Sequence, residues 1–314
     1  MYKIIVTDKL NADAIEMLKG FGEVTYDTEI KSDELKVIIK DFDAIIVRSR
    51  TKVTADIINA ATNLKVIGRA GVGVDNIDVK AATSRRIPVV FSPGGSTRSV
   101  VEIAVGLMVA MARDIVNLDN ETKKGIWLKG KVEGTELHGK VIGIYGFGRI
   151  GRELAKICMA MGMKIHAYDP YVKDSDDAIL YNDFNKFLSE IDILSVHAVL
   201  TSQTNHSIGT KELNIMKKGI YIINLARGEI IDENSLINAI ESGIVKGAAL
   251  DVYEHEPPVN TKLVNFKNVI ALPHIGAATA EAQKKSGTMI VKDVIAVLSG
   301  KKPESCVNSS ILDG

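Results

Sequence analysis

The chain of 314 residues is long enough for two domains, each with its own core, at roughly 100 to 200 residues per domain. Its 39 basic and 39 acidic residues cancel, leaving no global field to gather nucleic acid or an anionic membrane, and 46% hydrophobic with 25% charged residues excludes a disordered chain. The two cysteines, Cys158 and Cys306, lie far apart in no metal-like spacing, so neither a disulfide framework nor a metal site is expected.

The N-terminal "MYKIIVTDKL" lacks the long apolar run of a signal peptide. The most apolar segment, residues 100–111, is too short to span a bilayer and contains Glu102. The expectation is a soluble cytoplasmic protein.

From the start, β-branched runs alternate with amphipathic segments: "KIIVTD" then "ADAIEMLKGF", "AIIVRS" then "ADIINAAT", "LKVIGRAG" then "NIDVKAATSRR", and "IPVVFSP". Strands buried on both faces read as continuous apolar runs, so this alternation predicts βα units on a parallel sheet. Residues 99–114, "SVVEIAVGLMVAMARD", are apolar on most faces and predict a helix buried between domains or subunits. After the polar run "KKGIWLKGKVEGTELHGK" the alternation restarts as a second sheet: "VIGIYG", "KIHAYDP", "ILSVHAV", "GIYIINLA", "KGAALDV" and "NVIALP". The final helical segment stops at Gly300, with Lys301, Lys302 and Pro303 beyond. Because the first domain lacks a last element, this tail is expected to return to it. The reading is therefore an α/β protein of two doubly wound domains, residues 1–98 plus 287–314 forming one and residues 99–286 inserted as the other.

The run "VIGIYGFGRIG" places Gly146, Gly148 and Gly151 between a strand-like and a helical segment, and Asp169 ends the next strand 18 residues after Gly151. That context is the dinucleotide fingerprint: a tight turn at the first glycine, close approach of pyrophosphate at the second, close helix packing at the third, and a ribose-binding acid about 20 residues on. Phe147, Arg149 and Ile150 complete the expected loop. A carboxylate at Asp169 repels a 2′-phosphate, and "YDPY" offers no compensating arginine, so NAD is expected rather than NADP.

Three residues stand at the ends of later strands, where open α/β sheets bind ligands: Arg227 in "NLARGEIID", Glu256 in "DVYEHEPP" and His274 in "ALPHIGAAT". Pro273 ends its strand and throws the histidine out beyond the edge. Imidazole can take a hydroxyl proton near neutral pH, a neighbouring carboxylate stabilises the resulting imidazolium, and a guanidinium can clamp a substrate carboxylate with two hydrogen bonds. Glu254 competes with Glu256 on chemistry alone. Asp251 is either a helix or turn cap or an acceptor for a nicotinamide carboxamide. His197 lines the expected cofactor cleft, with Ala226 and Gly276 as flanking contacts, while His138, His166, His206 and His255 are read as incidental.

"GTELHGKVIGIYGFGRIG", "NLARGEIIDE", "GAALDVYEHEPP" and "LPHIGAAT" together resemble the D-isomer-specific 2-hydroxyacid dehydrogenases, along essentially the whole chain. The resemblance implies catalytic roles for Arg227, Glu256 and His274, and a nicotinamide contact for Asp251. The family's glutamate stands directly before the proline, which selects Glu256 over Glu254. It further implies a Rossmann domain inserted into a split, flavodoxin-like substrate domain, and a homodimer built on the cofactor domain.

In the first domain, "IIVRSRTKVTADIINAA" and "LKVIGRAGVGVDNID" are similar to the phosphoglycerate-oxidising branch of that family. The expected substrate residues are Arg48, Ser49, Arg69, Val72 and Gly73, together with Arg227 and His274. A trianionic substrate calls for such fixed positive charge, and the loop's backbone N–H groups suit a carboxylate. Arg98 and either Lys129 or Lys131 are further expected sources of positive charge, the lysine from a neighbouring subunit. "FSPGGSTRSVVE" lacks the asparagine often found at its start, and Val199 stands where the family usually has proline. The alternatives are a glyoxylate or hydroxypyruvate reductase, with no need of Arg48 and Arg69 for a phosphate, and an NAD-sensing corepressor that works by binding partners. With the sequence ending at Gly314, the expectation is no C-terminal regulatory domain and no serine feedback.

Overall fold

The computed structural model describes residues 1–259 and 261–312. The chain forms two compact units, Met1–Ser96 with Ala278–Gly314, and Thr97–Ala277.

The first unit begins with β1 (Lys3–Val6), α1 (Ala12–Lys19), β2 (Glu23–Tyr26), α2 (Ser32–Ile38), β3 (Ala44–Val47), α3 (Ala55–Ala60), β4 (Val66–Arg69), α4 (Val79–Ser84) and β5 (Val89–Phe91). Every pairing among these strands is parallel, in the order β2-β1-β3-β4-β5. This is the flavodoxin-like order, reversing between β1 and β3. The run Ala44–Val47 is buried throughout because helices cover both faces. Side chains start the helices: Thr54 accepts from the Ile57 N–H, and Asp78 from the Ala81 N–H at 2.9 Å.

The second unit contains α5 (Thr97–Ala112), α6 (Ile115–Lys123), β6 (Val141–Tyr145), α7 (Arg149–Ala160), β7 (Lys164–Tyr168), β8 (Ile179–Tyr181), α8 (Phe184–Glu190), β9 (Ile193–Val196), α9 (Thr210–Ile215), β10 (Ile220–Asn224), α10 (Glu233–Glu241), β11 (Val245–Leu250) and β12 (Val269–Ala271). Its strands pair in parallel in the order β12-β11-β10-β9-β6-β7-β8. That is the Rossmann order with one added strand, and its direction reverses between β6 and β9. The apolar helix α5 belongs to this unit's own core. Val101, Ala104, Leu107 and Met108 pack in one cluster with Ile142, Ile144 and Leu154.

The last helix, α11 (Ala280–Leu298), returns to the first unit, whose second segment starts at Ala278 rather than near residue 287. Its apolar side, Ile290, Val291, Val294 and Leu298, packs in that unit's core, and a β-carbon at Gly68 in β4 would stand 2.8 Å from Val294 Cγ2. Near the helix's C-terminal end, buried Asp293 accepts the N–H groups of Glu304 at 2.7 Å and Ser305 at 3.2 Å from the tail that follows. The tail then bridges antiparallel to β5 at Val90 and Cys306.

Candidate active site

At the reversal point, β6 runs into Gly146, which has φ 94° and donates its N–H to the Tyr168 carbonyl at 2.9 Å. A β-carbon there would lie 2.5 Å from the Ala198 nitrogen, so the turn needs glycine for both backbone angle and space. A β-carbon at Gly151 would meet the Gly146 carbonyl oxygen at 2.4 Å, which is how closely α7 sits on its strand. Gly148 differs: its β-carbon position has nothing within 4 Å. It is also the N-cap of α7, with no side chain capping the helix. Open space and uncapped N–H groups at a helix N-terminus suit an anion such as pyrophosphate.

Asp169 follows β7 and reaches back across this turn. Its Oδ2 accepts the Phe147 N–H at 2.9 Å and its Oδ1 the Tyr171 N–H at 3.0 Å. The carboxylate is thereby fixed at the rim of the glycine loop, as a ribose acceptor requires. The Phe147 side chain is fully buried and its N–H is taken by Asp169. Arg149 is exposed and Ile150 half-buried at the helix start.

His197, just after β9, gives its N–H to the Tyr145 carbonyl at 2.7 Å and packs its backbone against Gly146. Its Nε2 meets Ser195 Oγ at 2.8 Å, while Nδ1 is sealed without a partner. Burial pulls its pKa down to about 4, so the ring is neutral at physiological pH.

The loop after β10 is set by Asn224, a buried amide that sequence reasoning passed over. It accepts the Ala226 N–H at 3.1 Å and donates to the Arg227 carbonyl at 2.9 Å. Arg227 Nη1 donates to the Ala226 carbonyl at 2.6 Å. After β11 comes Asp251, only 1% exposed. Its two oxygens accept the N–H groups of Ile275 and Gly276, each at 2.7 Å. These two bonds cap the turn at Ile275 and Gly276. Burial raises the Asp251 pKa, and the two N–H donors oppose that rise. The cap holds the residue before it, His274, at φ 56°, a backbone region that only a few non-glycine residues enter.

Tyr253 fastens the loop that carries the glutamate, its one hydroxyl proton shared between the carbonyls of Leu250 at 3.2 Å and Leu272 at 3.0 Å. Its N–H reaches Glu256 Oε1 at 3.3 Å, and the other oxygen, Oε2, meets His274 Nδ1 at 2.8 Å. Both side chains stay open to solvent, 50% exposed for His274 and 39% for Glu256. Glu254 is committed elsewhere, to the Glu233 N–H and to His206. With Nδ1 turned to a carboxylate, His274 keeps Nε2 free in direction to exchange a proton with a ligand. His255 is exposed.

In the first unit, Arg48 follows β3 and Arg69 ends β4, the strand beside it. Buried Asp8 accepts the Arg48 N–H at 2.6 Å and Arg50 Nε at 3.2 Å. Asn76, also missed in the sequence, joins the two loops by donating to the carbonyls of Arg48 at 2.7 Å and Thr51 at 2.6 Å. A β-carbon at Gly71 would overlap the Arg69 guanidinium, 1.4 Å from Nη1, so glycine is what lets that side chain lie across the loop. Ser49 and Val72 are exposed and Gly73 is half-buried.

A parallel sheet in Rossmann order, an open glycine turn and a histidine–carboxylate pair at the carboxyl edge define a dinucleotide-dependent oxidoreductase class. Residues 105–276 match the pattern of the D-isomer specific 2-hydroxyacid dehydrogenase, NAD binding domain, and the chain belongs to that family. It is 46% identical to a D-3-phosphoglycerate dehydrogenase of Methanocaldococcus jannaschii over 98% of this chain and 60% of that protein. It is also 46% identical to a hydroxypyruvate reductase of Thermotoga maritima, over 93% of this chain and 97% of that one. Among solved structures, a glyoxylate reductase from Paecilomyes thermophila superposes with a TM-score of 0.91 at 30% identity, covering 98% of this chain and 99% of that one. The chain thus spans about 60% of the length of the phosphoglycerate dehydrogenase and nearly all of the reductase. No helix among the described residues is long and apolar enough to cross a membrane.

Proposed function

We propose that the protein oxidises D-3-phosphoglycerate to 3-phosphohydroxypyruvate with NAD, the first step of serine synthesis. The observation that carries the chemistry is the 2.8 Å contact between His274 Nδ1 and Glu256 Oε2, on a fold that also supplies the open glycine turn. Gly148, Gly151 and the N-terminus of α7 would hold the pyrophosphate, and Asp169 the ribose hydroxyls. Bound NAD supplies the acceptor for the hydride that leaves the substrate's carbinol carbon. His274 takes the hydroxyl proton at Nε2, and the Glu256 carboxylate balances the imidazolium formed. Arg227 grips the substrate carboxylate and polarises the oxygen that becomes the carbonyl. Arg48 and Arg69 supply positive charge for the phosphate, with Ser49 and the backbone at Val72 and Gly73 completing the anion site. Similarity to several D-3-phosphoglycerate dehydrogenases supports this substrate.

A second reading, a hydroxypyruvate or glyoxylate reductase, is favoured by the match to nearly the full length of the Thermotoga maritima protein. NADH formation with D-3-phosphoglycerate, run beside D-glycerate and D-lactate, separates the two. Preference for the phosphorylated acid that collapses in Arg48→Ala and Arg69→Ala supports the first reading. Equal turnover of the unphosphorylated acids moves the protein to the second.

We also propose a homodimer through the second unit. Helix α6 buries none of its own residues, and Ile115, Val116, Ile126 and Trp127 are exposed, Trp127 at 72%. Trp127→Ser should lower the mass measured by light scattering at micromolar concentration; an unchanged mass would place the interface elsewhere.

A further inference from the structure

Two residues before Glu256, the chain makes an exchange of hydrogen bonds that the proposed acid–base chemistry does not use. The Glu254 N–H donates to Glu233 Oε1 at 2.9 Å, and the Glu233 N–H donates to Glu254 Oε1 at 3.0 Å. Each carboxylate thus holds the other residue's backbone. Glu233 is the first residue of α10, so the clamp ties a mobile type of element, a loop, to a rigid one.

A third side chain closes the arrangement. His206, between β9 and α9, places Nε2 3.0 Å from Glu254 Oε1 and Nδ1 3.7 Å from Asp232 Oδ2. One ligand-type atom from each of His206, Asp232 and Glu254 falls within 4.8 Å of the others. These groups are already spent on one another and on backbone: Asp232 Oδ1 accepts the Ser235 N–H at 2.7 Å. His206 stands at φ 48°, and its N–H donates to the Glu229 carbonyl at 2.7 Å. Glycine would occupy that backbone angle more easily, so the imidazole, rather than the turn, is what the position uses.

The place of the clamp gives it leverage. A β-carbon at Gly228, the residue after Arg227, would lie 1.9 Å from the Tyr253 carbonyl carbon and 2.4 Å from the Glu254 nitrogen. The Arg227 loop therefore rests directly on the backbone that Glu233 grips. Glu256 hangs from the same loop, held by the Tyr253 N–H at 3.3 Å and by His274 at 2.8 Å. A shift of the backbone at residue 254 displaces the carboxylate from the imidazole and the guanidinium from its seat. Displacements on the order of 1 Å in a reacting constellation cost about 100-fold in rate.

We propose that Glu254, clamped by Glu233 and buttressed by His206, is a positioning residue that sets Glu256 against His274. It touches no reacting atom itself. The proposal rests on the reading of Glu256 and His274 as the acid–base pair.

The test compares Glu254→Ala, Glu254→Gln, Glu233→Ala, His206→Gln, Glu256→Gln and the double variant Glu254→Ala/Glu256→Gln. NADH oxidation is followed with 3-phosphohydroxypyruvate and with hydroxypyruvate across pH, and NADH binding is followed by fluorescence. The expected result is that Glu254→Ala and Glu233→Ala lower kcat at least tenfold, with NADH affinity within twofold of the parent. Their kcat/KM profile against pH moves in the same sense as that of Glu256→Gln. Glu254→Gln, which keeps the acceptor oxygen for the Glu233 N–H, restores most of the rate, and His206→Gln falls between. The double variant loses no more than Glu256→Gln alone, since groups acting through one contact are not additive. Multiplying losses in the double variant, or a parental pH profile in Glu254→Ala beside a shifted one in Glu256→Gln, overturns the clamp alone. A parental rate and profile in Glu256→Gln overturns the acid–base reading, and the clamp with it.

Discussion

Gly228 and Tyr253 meet backbone to backbone: a β-carbon at 228 would stand 1.9 Å from the Tyr253 carbonyl carbon and 2.2 Å from its oxygen. The two loops that present Arg227 and Glu256 are thus in contact along the main chain, where no rotamer change can relieve a clash. Gly228→Ala should therefore cost about 3 kcal/mol, the upper range for overpacking, and turnover should fall far more than NAD affinity. Urea unfolding and steady-state kinetics check both; a variant as stable as the parent would mean the loops can part freely.

The glycines of the turn should separate into two kinds. Gly146→Ala meets the Ala198 nitrogen and needs φ 94°, so it should lose stability as well as NAD binding. Gly148→Ala meets nothing in the chain. It should melt within a few degrees of the parent yet bind NAD at least tenfold more weakly, because its methyl group occupies the space offered to the pyrophosphate. Calorimetric titration beside thermal melting reads the two effects apart, and parental NAD affinity in Gly148→Ala would remove the pyrophosphate from that position.

Asp232 caps α10, and hydrogen bonds from Ser235 hold its carboxyl below the ordinary value of 3.8. A group with a depressed folded pKa contributes stability that is present above the unfolded value and is lost as pH falls through the folded one. Asp232→Ala should cost about 1 kcal/mol at pH 7, the usual worth of an N-cap, and the gap from the parent should shrink below pH 3.8. Urea titrations from pH 7 downward test this; a gap that widens in acid would contradict the cap.

The Cys158 thiol is fully buried, and burial pushes its pKa up to about 12. A thiol in that state reacts slowly, since the thiolate is the nucleophile. A disulfide reagent at pH 8 should label at most Cys306 in the native protein, and both cysteines after unfolding. Rapid native labelling at Cys158, read by peptide mass, would mean the core around α7 opens readily.

Much of this protein was decided locally and is legible in the chain. The alternation of apolar runs and helical segments yields two parallel sheets because each run reports its own burial on both faces. The glycine spacing is a property of a turn only a few residues long, so the chain alone sets a separate expectation for each of Gly146, Gly148 and Gly151. Other decisions needed the tertiary structure. Glu254 and Glu256 have the same chemistry two positions apart; the family resemblance favours Glu256, and packing against Glu233 and His206 on one side and His274 on the other supplies the physical reason the two differ in the fold. Asn224, Gly228, Tyr253 and His206 carried no signal because their partners lie on other strands and loops. Phe147 stands in the glycine turn, yet its ring packs in the core with residues of α5 and α7 that are distant in sequence or lie on another element. Short-range geometry follows from sequence spacing, whereas the partner of a side chain is fixed by long-range contacts that spacing does not encode.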